Sequence, residues 1–368
     1  MKHAAHHQDW ISELLIWFHQ EKREMPWRRN STPYHRWISE IMLQQTRVET
    51  VIPYFNRFIH HYPDIATLSQ AAEDDVLKMW QGLGYYSRAR NLVKAAVMMM
   101  EKYEGLFPET EKRALSLPGV GSYTAAAVLS MAYGVPLPSV DGNVLRVYCR
   151  MTGLAENVLE AATVRRVRKA LAEKIPVDRP GEFNEAMMEL GALICQPTSP
   201  KCHSCPIREY CQALQHDQVA LLPIRERKDR KTRHRFLVYV VTNEAGTALW
   251  ALKNPPRGLL GGLWALPMIE MHEGVSRLDQ TDVQEILSAG EEQAMRIWHT
   301  RIKRLTYRGC IRHAFTHRHW TMDVLTAVTE NFIPDGFQWI RLDEIQDKAF
   351  PEAYLKVIRL MEDRPAAI

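Results

Sequence analysis

The sequence predicts a mainly α-helical N-terminal domain followed by a smaller α+β C-terminal domain. Up to about residue 215, apolar residues recur at helical spacing, as Ile11, Leu14 and Phe18 do near the start. After about residue 235, short runs of β-forming residues replace that pattern. A basic segment separates the two patterns. The expected boundaries are 1–224 for the first domain, 225–235 for a linker and 236–368 for the second domain.

The bulk composition fits two folded domains and argues against a membrane protein. The chain has 368 residues, which suggests two domains, and 46% hydrophobic residues, which is enough for two cores. No apolar run approaches the length needed to span a bilayer. The net charge of +4 is compatible with a nucleic-acid partner but is a weak indication by itself.

Glycines mark the ends of predicted helices in the first domain, and turn residues mark two hairpins in the second. Gly134 follows the helical pattern at 125–132, and Gly153 follows the helix expected at 144–151. The predicted strands are 236–242 and 247–252 in one hairpin and 311–315 and 320–328 in the other, with helices near 283–289 and 352–361.

Residues 225–235 are strongly basic, with seven Lys or Arg against two acids. The plain interpretation is a solvated linker between the domains. The alternative is a linker that also contacts phosphates, because clustered positive charge attracts a nucleic-acid backbone. The segment itself leaves both interpretations open.

Four cysteines lie within seventeen residues, with the spacing Cys195-x6-Cys202-x2-Cys205-x5-Cys211. Residues 1–10 are polar and rich in histidine and contain no apolar segment of a secretion signal, which predicts a reducing compartment. Clustered cysteines in such a compartment are typical of metal ligands rather than disulfides. The spacing leaves zinc and a [4Fe–4S] cluster equally open, because four thiolates suit both.

A glycine-rich turn, Leu117-Pro-Gly-Val-Gly121, separates two helical patterns at about 111–134. Its glycines allow a tight turn that exposes backbone N–H groups at the start of the next helix. Such a helix N-terminus binds a phosphate without reading base sequence. The motif alone also fits an ordinary tight turn. Asp141, which lies twenty residues further on and precedes another predicted helix, favours the phosphate-binding interpretation.

Several segments, in this order, resemble the adenine DNA glycosylases (the MutY family) of the helix-hairpin-helix DNA glycosylase superfamily. These segments are Pro26–Arg28, Trp37–Thr50, Gly82–Arg88, the hairpin with Asp141, Val140–Arg146, Phe183–Ala186, the cysteine loop, Leu259–Pro267 and Phe315–His317. The likeness covers roughly residues 10–360. It implies a helix-hairpin-helix glycosylase domain with an iron–sulfur loop at 195–211, followed by an α+β Nudix-like domain. The resemblance thus favours [4Fe–4S] over zinc.

The resemblance also implies an activity and its partners. The expected enzyme removes adenine mispaired with 8-oxoguanine, or with guanine, from double-stranded DNA during base excision repair. It is expected to act as a monomer, without a membrane partner, on the nucleoid in a bacterial-type cytoplasm. None of these expectations follows from composition alone.

Cleavage of an adenine N-glycosidic bond requires a proton for the leaving base and stabilisation of the sugar cation, which two carboxylates can provide. The family resemblance assigns the proton to Glu40, which is expected to protonate adenine N7, and the second role to Asp141. The apolar neighbours of Glu40 are expected to raise its pKa by desolvation. Asp141 could stabilise the cation or form a covalent sugar adduct, and it also fits a helix N-cap. Asn143 and Tyr123 match residues that orient water and the proton network.

The remaining family positions concern binding. The adenine pocket matches Arg23, Trp27, Arg28 and Glu185; DNA contacts match Leu43, Gln45, Thr46, Tyr85, Gly119, Val120 and Gly121; 8-oxoguanine recognition matches Phe315, Thr316 and His317; the cluster ligands are Cys195, Cys202, Cys205 and Cys211. Gln45 and Tyr85 match residues that wedge into the base stack. Thr46-x-x-Glu49 also fits a capping box, which would make Thr46 the start of a helix.

Two departures from related enzymes limit the expected chemistry. Tyr123 stands where a strand-cleaving relative carries a lysine, so a Schiff base cannot form there and base removal without efficient strand cleavage is expected. The second domain lacks the glutamate-rich helix of Nudix hydrolases after Gly262, so it is expected to bind and not hydrolyse. A glycosylase with lyase activity, a non-enzymatic DNA-binding protein and a nucleotide hydrolase remain as alternatives.

Overall fold

The chain folds as a helical unit and a sheet-based unit, each with its own core. The structure, a computed structural model, describes residues 9–29, 31–226, 231–271, 282–299, 303–315, 317–329 and 332–362. The first unit comprises Met1–Ala71 and Arg90–Lys228, and the second comprises Ala72–Ala89 and Asp229–Ile368. Residues 72–89, which lie within the predicted N-terminal domain, thus group with the second unit. No helix in the described ranges is long and apolar enough to cross a membrane.

Thirteen helices form the part of the chain before residue 216 that the structure describes. They are α1 (Asp9–Glu21), α2 (Pro26–Arg29), α3 (Pro33–Leu43), α4 (Val48–His61), α5 (Ile65–Ser69), α6 (Glu73–Met79), α7 (Ser87–Lys102), α8 (Glu111–Ala114), α9 (Ser122–Tyr133), α10 (Gly142–Thr152), α11 (Ala161–Ala172), α12 (Pro180–Leu193) and α13 (Gln212–Gln215), with 3-10 turns at Cys202–Ser204 and Arg208–Tyr210. One core of the first unit joins α1, α10 and α12 through Leu14, Phe18, Val144, Phe183 and Leu190. The predicted helical fold of this region is confirmed.

Local sequence explains where the helices around the site begin and end. The Asp141 carboxylate accepts a hydrogen bond from the Val144 N–H (2.7 Å) and so caps α10. Gly134 and Gly153 end α9 and α10 in the left-handed conformation, as predicted. The predicted capping box at Thr46 is wrong, because α4 has Arg47 at its N-cap and the Thr46 hydroxyl donates to the Gln44 carbonyl instead.

The predicted hairpin lies between α8 and α9. Gly119 has φ = 79°, a conformation that side chains rarely adopt. A Cβ at this position would also lie 2.8 Å from the Cβ of Asn91. The turn is therefore specific for glycine, and it delivers the chain to Gly121, the N-cap of α9.

The second unit contains a seven-stranded mixed sheet among the described residues. Its strands are β1 (Thr232–Asn243), β2 (Ala248–Lys253), β3 (Trp264–Ala265), β4 (Met268–Glu270), β5 (Lys303–Ala314), β6 (Arg318–Thr329) and β7 (Gln338–Arg341). The order is β3-β2-β1-β6-β5, with β4 on β1 and β7 on β2. β1 and β6 run parallel, and both predicted hairpins, β1–β2 and β5–β6, are antiparallel.

Helices cover both faces of this sheet. Val238 and Val240 of β1 pack in the cluster that contains Val357 of α15 (Glu352–Glu362). Leu237 and Tyr239 point to the other face, in the cluster that contains Trp298 of α14 (Val283–Trp298). Burial on both faces explains why β1 is a continuous apolar run rather than an alternating one.

Three elements of the second unit differ clearly in extent from the prediction. β5 begins at Lys303, eight residues before the predicted start at 311. β1 begins at Thr232, four residues before the predicted start at 236, because residues 232–235 pair in parallel with the first residues of β6. α14 continues to Trp298, beyond the predicted end near 289. The predicted C-terminal helix is confirmed as α15, and a 3-10 helix, Leu342–Asp347, precedes it.

Candidate active site

A cavity of about 670 Å³ in the first unit collects most of the predicted catalytic and pocket residues. It is lined by Arg23, Trp27, Arg28, Glu40, Leu43, Gln45, Thr46, Tyr123, Asp141, Asn143 and Glu185 from the prediction, and also by Arg36, Gln44, Met188 and Glu189. The predicted residues come from the loop before α2, from α2, α3, α9 and α12, from the start of α10 and from the turn after α3. Chain segments far apart in sequence therefore converge on one pocket.

Glu40 lies on α3, and its side chain is buried, with 4% of the residue exposed. The Tyr123 hydroxyl donates a hydrogen bond of 2.7 Å to Glu40 Oε2. Desolvation raises the pKa of Glu40 to about 7, against the hydrogen bond from Tyr123 and the charge of Arg36, which both lower it. A carboxyl group with such a pKa can hold a proton near neutrality and deliver it to a bound base.

Asp141, the other predicted catalytic carboxyl group of the pocket, is partly buried. Its Oδ1 accepts from the Val144 N–H, and its Oδ2 accepts from Asn143 Nδ2 at 2.8 Å. Asn143 Oδ1 in turn accepts from Arg146, which also donates to the Cys195 carbonyl. Burial raises the pKa of Asp141, while the N–H donors and Arg146 oppose that rise.

The two carboxyl groups therefore differ in what stabilises their charge. Asp141 caps a helix and accepts two N–H hydrogen bonds, whereas Glu40 accepts one from a tyrosine hydroxyl. The negative charge of Asp141 also raises the pKa of Glu40. We therefore expect Asp141 to be the anion and Glu40 to be the proton donor of the pair.

An arginine–glutamate network forms another side of the pocket. Arg28 Nε donates to Glu185 Oε1 at 2.8 Å, and Arg36 Nη1 donates to the same oxygen at 2.8 Å. Glu189 accepts from Arg23 Nε (2.8 Å) and from Arg28 Nη2 (3.2 Å). Although burial alone would raise it, the pKa of Glu189 lies below its usual range because Arg23 and Arg28 favour the carboxylate. The network holds its side chains in fixed positions around the cavity.

Arg36 and Glu189 were not predicted from the sequence. Arg36 lies four residues before Glu40 on α3, and Glu189 lies four residues after Glu185 on α12. Residues four apart share one face of a helix. That spacing from the predicted residues is the signal that could have identified both.

Gln45 and Tyr85, the predicted wedge residues, share an unusual backbone conformation. Their φ angles are 58° and 49°, in a region where residues other than glycine are uncommon. Such conformations concentrate at functional sites, where the surrounding structure must hold them. Gln45 lines the cavity of the first unit, whereas Tyr85 belongs to the second unit and is 42% exposed.

The predicted phosphate-binding turn does not line the cavity. Gly119, Val120 and Gly121 lie between α8 and α9, and Gly121 leads directly into the N-terminus of α9. Tyr123, two residues later, reaches Glu40. The same helix start therefore carries both the turn and a side chain of the pocket.

The four predicted cysteine ligands surround a second cavity of the first unit, about 30 Å³ in volume. Arg150 donates to the Cys195 sulfur at 3.5 Å, and the two 3-10 turns position Cys202 and Cys211. No three His, Cys, Asp or Glu side chains in the described ranges are grouped closely enough to hold a metal ion. The fit to a cluster rests on the four thiols that line one cavity and on the Arg150 guanidinium beside them. Four thiolates are a donor set that suits a [4Fe–4S] cluster.

The predicted lesion-reading turn connects β5 and β6 in the second unit. The Phe315 N–H donates to the Arg318 carbonyl at 2.8 Å, which closes a tight hairpin. The Phe315 ring packs edge-on against Trp320, with ring centroids 4.7 Å apart, and His317 is exposed. Thr316, the third predicted residue, lies outside the described residues.

Comparisons with known proteins agree with both halves of this fold. The profile of the HhH-GPD superfamily of base excision DNA repair proteins matches residues 38–176, and a NUDIX domain profile matches residues 237–360. A solved thermostable thymine-DNA glycosylase is 28% identical with a TM-score of 0.52, and the match covers 56% of this chain and 95% of that one.

Relatives similar along most of the chain share one description. Adenine DNA glycosylase of Mus musculus is 31% identical over 407 residues, covering 96% of this chain and 78% of the mouse protein. The enzyme of Buchnera aphidicola (from Acyrthosiphon pisum) is 35% identical over 265 residues, covering 72% and 75%. The chain therefore belongs to the adenine DNA glycosylase (MutY) family and is a DNA repair enzyme with a helix-hairpin-helix domain and a Nudix domain.

Proposed function

We propose that this enzyme hydrolyses the N-glycosidic bond of adenine paired with 8-oxoguanine, and more slowly with guanine, in duplex DNA. The observation that carries the proposal is the buried Glu40, bonded to Tyr123, with a pKa of about 7, in the same cavity as Asp141. Adenine leaves poorly as an anion, so a buried proton donor answers the main chemical requirement.

In this mechanism Glu40 donates its proton to adenine N7. The bond between the sugar C1′ and adenine N9 breaks, and its electron pair stays with the protonated base. The resulting oxocarbenium ion is stabilised by the Asp141 carboxylate, either electrostatically or as a transient C1′–O adduct. Water then adds to C1′ and gives its proton to the Glu40 carboxylate, which restores the acid. Asn143 holds Asp141, and Tyr123 holds Glu40.

The pocket supports base removal without strand cleavage. A lyase reaction requires an amine that attacks C1′ to form a Schiff base. Tyr123 presents a hydroxyl group at the start of α9, and the described lining of the cavity includes arginines but no lysine. Guanidinium groups stay protonated and do not act as such nucleophiles.

Recognition of the oxidised guanine is proposed for the second unit, through Phe315, Thr316 and His317. The exposed position of His317 at a hairpin turn leaves it accessible to a duplex. The sequence after Gly262 does not contain the glutamate motif of Nudix hydrolases, since Glu285, Glu291 and Glu292 of α14 have a different spacing, so this domain is proposed to bind rather than hydrolyse. The proposed domains are 1–224 and 236–368, and the enzyme is proposed to act as a monomer in a bacterial-type cytoplasm.

A [4Fe–4S] cluster is proposed for Cys195, Cys202, Cys205 and Cys211. When bound, it would close the loop after α12 and leave no open coordination position for substrate chemistry. Arg150, which contacts Cys195, places a positive charge beside it. The reaction itself is assigned to Glu40 and Asp141, which line a different cavity.

The test is a strand-break assay under single-turnover conditions on duplexes that differ only in the base opposite adenine: 8-oxoguanine, guanine or thymine. We expect breaks that require alkali treatment, fastest opposite 8-oxoguanine and absent opposite thymine. Alkali-independent nicking would establish a lyase instead. Absence of adenine release together with release of pyrophosphate from 8-oxo-dGTP would favour a nucleotide hydrolase.

A further inference from the structure

We propose that the second unit fixes the position of the Tyr85 wedge, through polar contacts that α6 and the turn after it make with the sheet-bearing part of that unit. This inference rests on the proposed function, because it assumes that Tyr85 enters the base stack. It adds a positioning role for Asp74, Lys78 and Gln81, which lie outside both cavities described above.

Three polar contacts join residues 72–89 to the rest of the second unit. Lys253, at the end of β2, donates to both oxygens of Asp74 at 2.7 and 2.6 Å. Lys78 donates to Asp347 at 2.7 Å. Gln81 Nε2 donates to the carbonyl of the buried Phe350 at 2.9 Å.

Two of these contacts fall on one face of α6 and the third follows it. Asp74 and Lys78 have the spacing i, i+4, which places their side chains on the same face of the helix, and Gln81 lies in the turn after its C-terminus. Exposed ion pairs are individually weak, since each is screened by water. Two contacts from the helix and one from the turn that follows it nevertheless restrict both the rotation and the axial position of a short helix.

The end of α6 is bonded directly to the turn that carries Tyr85. Trp80, which is fully buried, donates from its indole N–H to the Gly84 carbonyl at 3.1 Å. Arg88 Nη2 donates to the carbonyls of Leu83 and Gly84, each at 3.0 Å. The Arg88 guanidinium also lies 5.3 Å from the Trp80 ring centroid and 5.6 Å from that of Tyr85.

The turn needs such support because Tyr85 has a strained backbone. Its φ of 49° is costly for an aromatic residue and persists when the neighbouring structure holds it. Tyr85 is 42% exposed although the base of the turn is buried. The second unit thus presents the exposed Tyr85 side chain on a packed base, as insertion between stacked bases requires.

The test places like charges in both ion pairs with Asp74→Lys and Asp347→Lys in the full-length protein. Insertion is followed by the fluorescence of 2-aminopurine placed beside 8-oxoguanine, and adenine release is followed in a single turnover. We expect both rates to fall about fivefold to tenfold, because two contacts become repulsive. Adding Lys78→Asp and Lys253→Asp restores opposite charges across both pairs and should restore both rates.

The matched control is Asp75→Lys with Asp335→Lys, which makes the same change in net charge at exposed positions, one of them adjacent to Asp74 on α6. It accounts for any general effect of charge on DNA binding. Gln81→Leu removes the third contact without changing charge, and a smaller loss of insertion is expected.

The deciding comparison is made in a Tyr85→Ala background. If α6 acts through Tyr85, Asp74→Lys with Asp347→Lys should cause no further loss of adenine release in this background. A purely structural role would not produce this non-additivity. Equal losses with and without Tyr85, or wild-type insertion in the variant with Asp74→Lys and Asp347→Lys, would overturn the proposal.

Other outcomes separate this proposal from the proposed function. If Tyr85→Ala slows release while Asp74→Lys with Asp347→Lys does not, the wedge function stands and the α6 contact fails. If the wild type releases no adenine, the proposed function itself fails.

Discussion

The proposed catalytic pocket of the first unit and the proposed lesion-reading turn of the second differ in how their side chains are held. Glu40 is 4% exposed, receives a hydrogen bond from Tyr123 and lies in one cavity with an arginine–glutamate network. His317 is exposed in a hairpin turn that is held by two backbone hydrogen bonds among the described residues, from Phe315 N–H to the Arg318 carbonyl and from Thr232 N–H to the His317 carbonyl, and by the packing of Phe315 on Trp320. Contacts within the protein fix the side chains of the pocket, whereas the turn leaves the His317 side chain exposed.

This difference follows from what each region must do. A carboxyl group becomes a proton donor near pH 7 only when it is removed from water, so the acid requires burial. A side chain that reads a base in duplex DNA must remain accessible, so recognition requires exposure. Substitutions in the pocket should therefore reduce the rate on every substrate, while substitutions in the turn should change the preference between substrates.

The largest effect is expected for Glu40→Gln, which keeps the size of the side chain but removes the transferable proton. Adenine release in a single turnover should fall about 10³- to 10⁴-fold, the upper range for general acid catalysis. Duplex binding should persist, since the pocket shape is retained. Glu101→Gln, at an exposed position on α7, is the control. A Glu40→Gln rate within threefold of wild type would remove Glu40 from the mechanism.

A smaller loss is expected for Asp141→Asn, which separates two roles of one residue. Asparagine caps a helix as well as aspartate does, so the melting temperature should stay unchanged. Without the negative charge, release should slow about 10²- to 10³-fold. Asp141→Ala, which removes cap and charge together, should lower both the rate and the melting temperature. If Asp141→Asn were fully active, the residue would be a cap alone.

The turn is tested by Thr316→Ala combined with His317→Ala. The ratio of release rates opposite 8-oxoguanine and guanine should fall about tenfold, which corresponds to one or two lost hydrogen bonds. Release opposite guanine should change little. Glu244→Ala, in the turn of the β1–β2 hairpin, is the control. Equal losses on both duplexes would show a general binding contribution and no lesion reading.

The smallest effect is expected for Tyr123→Phe, which should change the rate of release little at low pH. Glu40 acts when protonated, so release should decline as the pH rises through about 7, the pKa of its carboxyl group. The Tyr123 hydroxyl favours the ionised form, so its removal should raise that pKa further and move the decline to higher pH. The control is Tyr133→Phe on the same helix. It removes a hydroxyl group that donates to the Phe107 carbonyl, and it should leave the pH profile of release unchanged. A decline that moves to lower pH would contradict this assignment.

The sequence predicted those parts of the fold that depend on local spacing. Apolar periodicity identified the helices of the first unit, and Gly134 and Gly153 end α9 and α10 as predicted. Family motifs identified the side chains that converge on the pocket. The hydrogen bond between Tyr123 and Glu40 joins residues 83 positions apart, so spacing alone could not have placed them together.

The features that were missed depend on contacts between distant segments. Arg36 and Glu189 complete a network that spans α2, α3 and α12; their spacing of four residues from Glu40 and Glu185 indicates a shared helix face but not these contacts. Residues 72–89 read as part of the helical domain because α6 is a helix, yet Lys253 and Asp347 bond them within the second unit. The early start of β1 likewise depends on its parallel partner, β6.

Proton transfer from Glu40 to adenine N7 is tested most directly with a duplex that carries 7-deazaadenine opposite 8-oxoguanine. This base keeps the pairing edge and the shape of adenine but has carbon in place of N7. Binding should match that of the adenine duplex, and release of the base in a single turnover should be undetectable. Release of 7-deazaadenine at a rate close to that of adenine would show that the bond breaks without the proposed proton transfer.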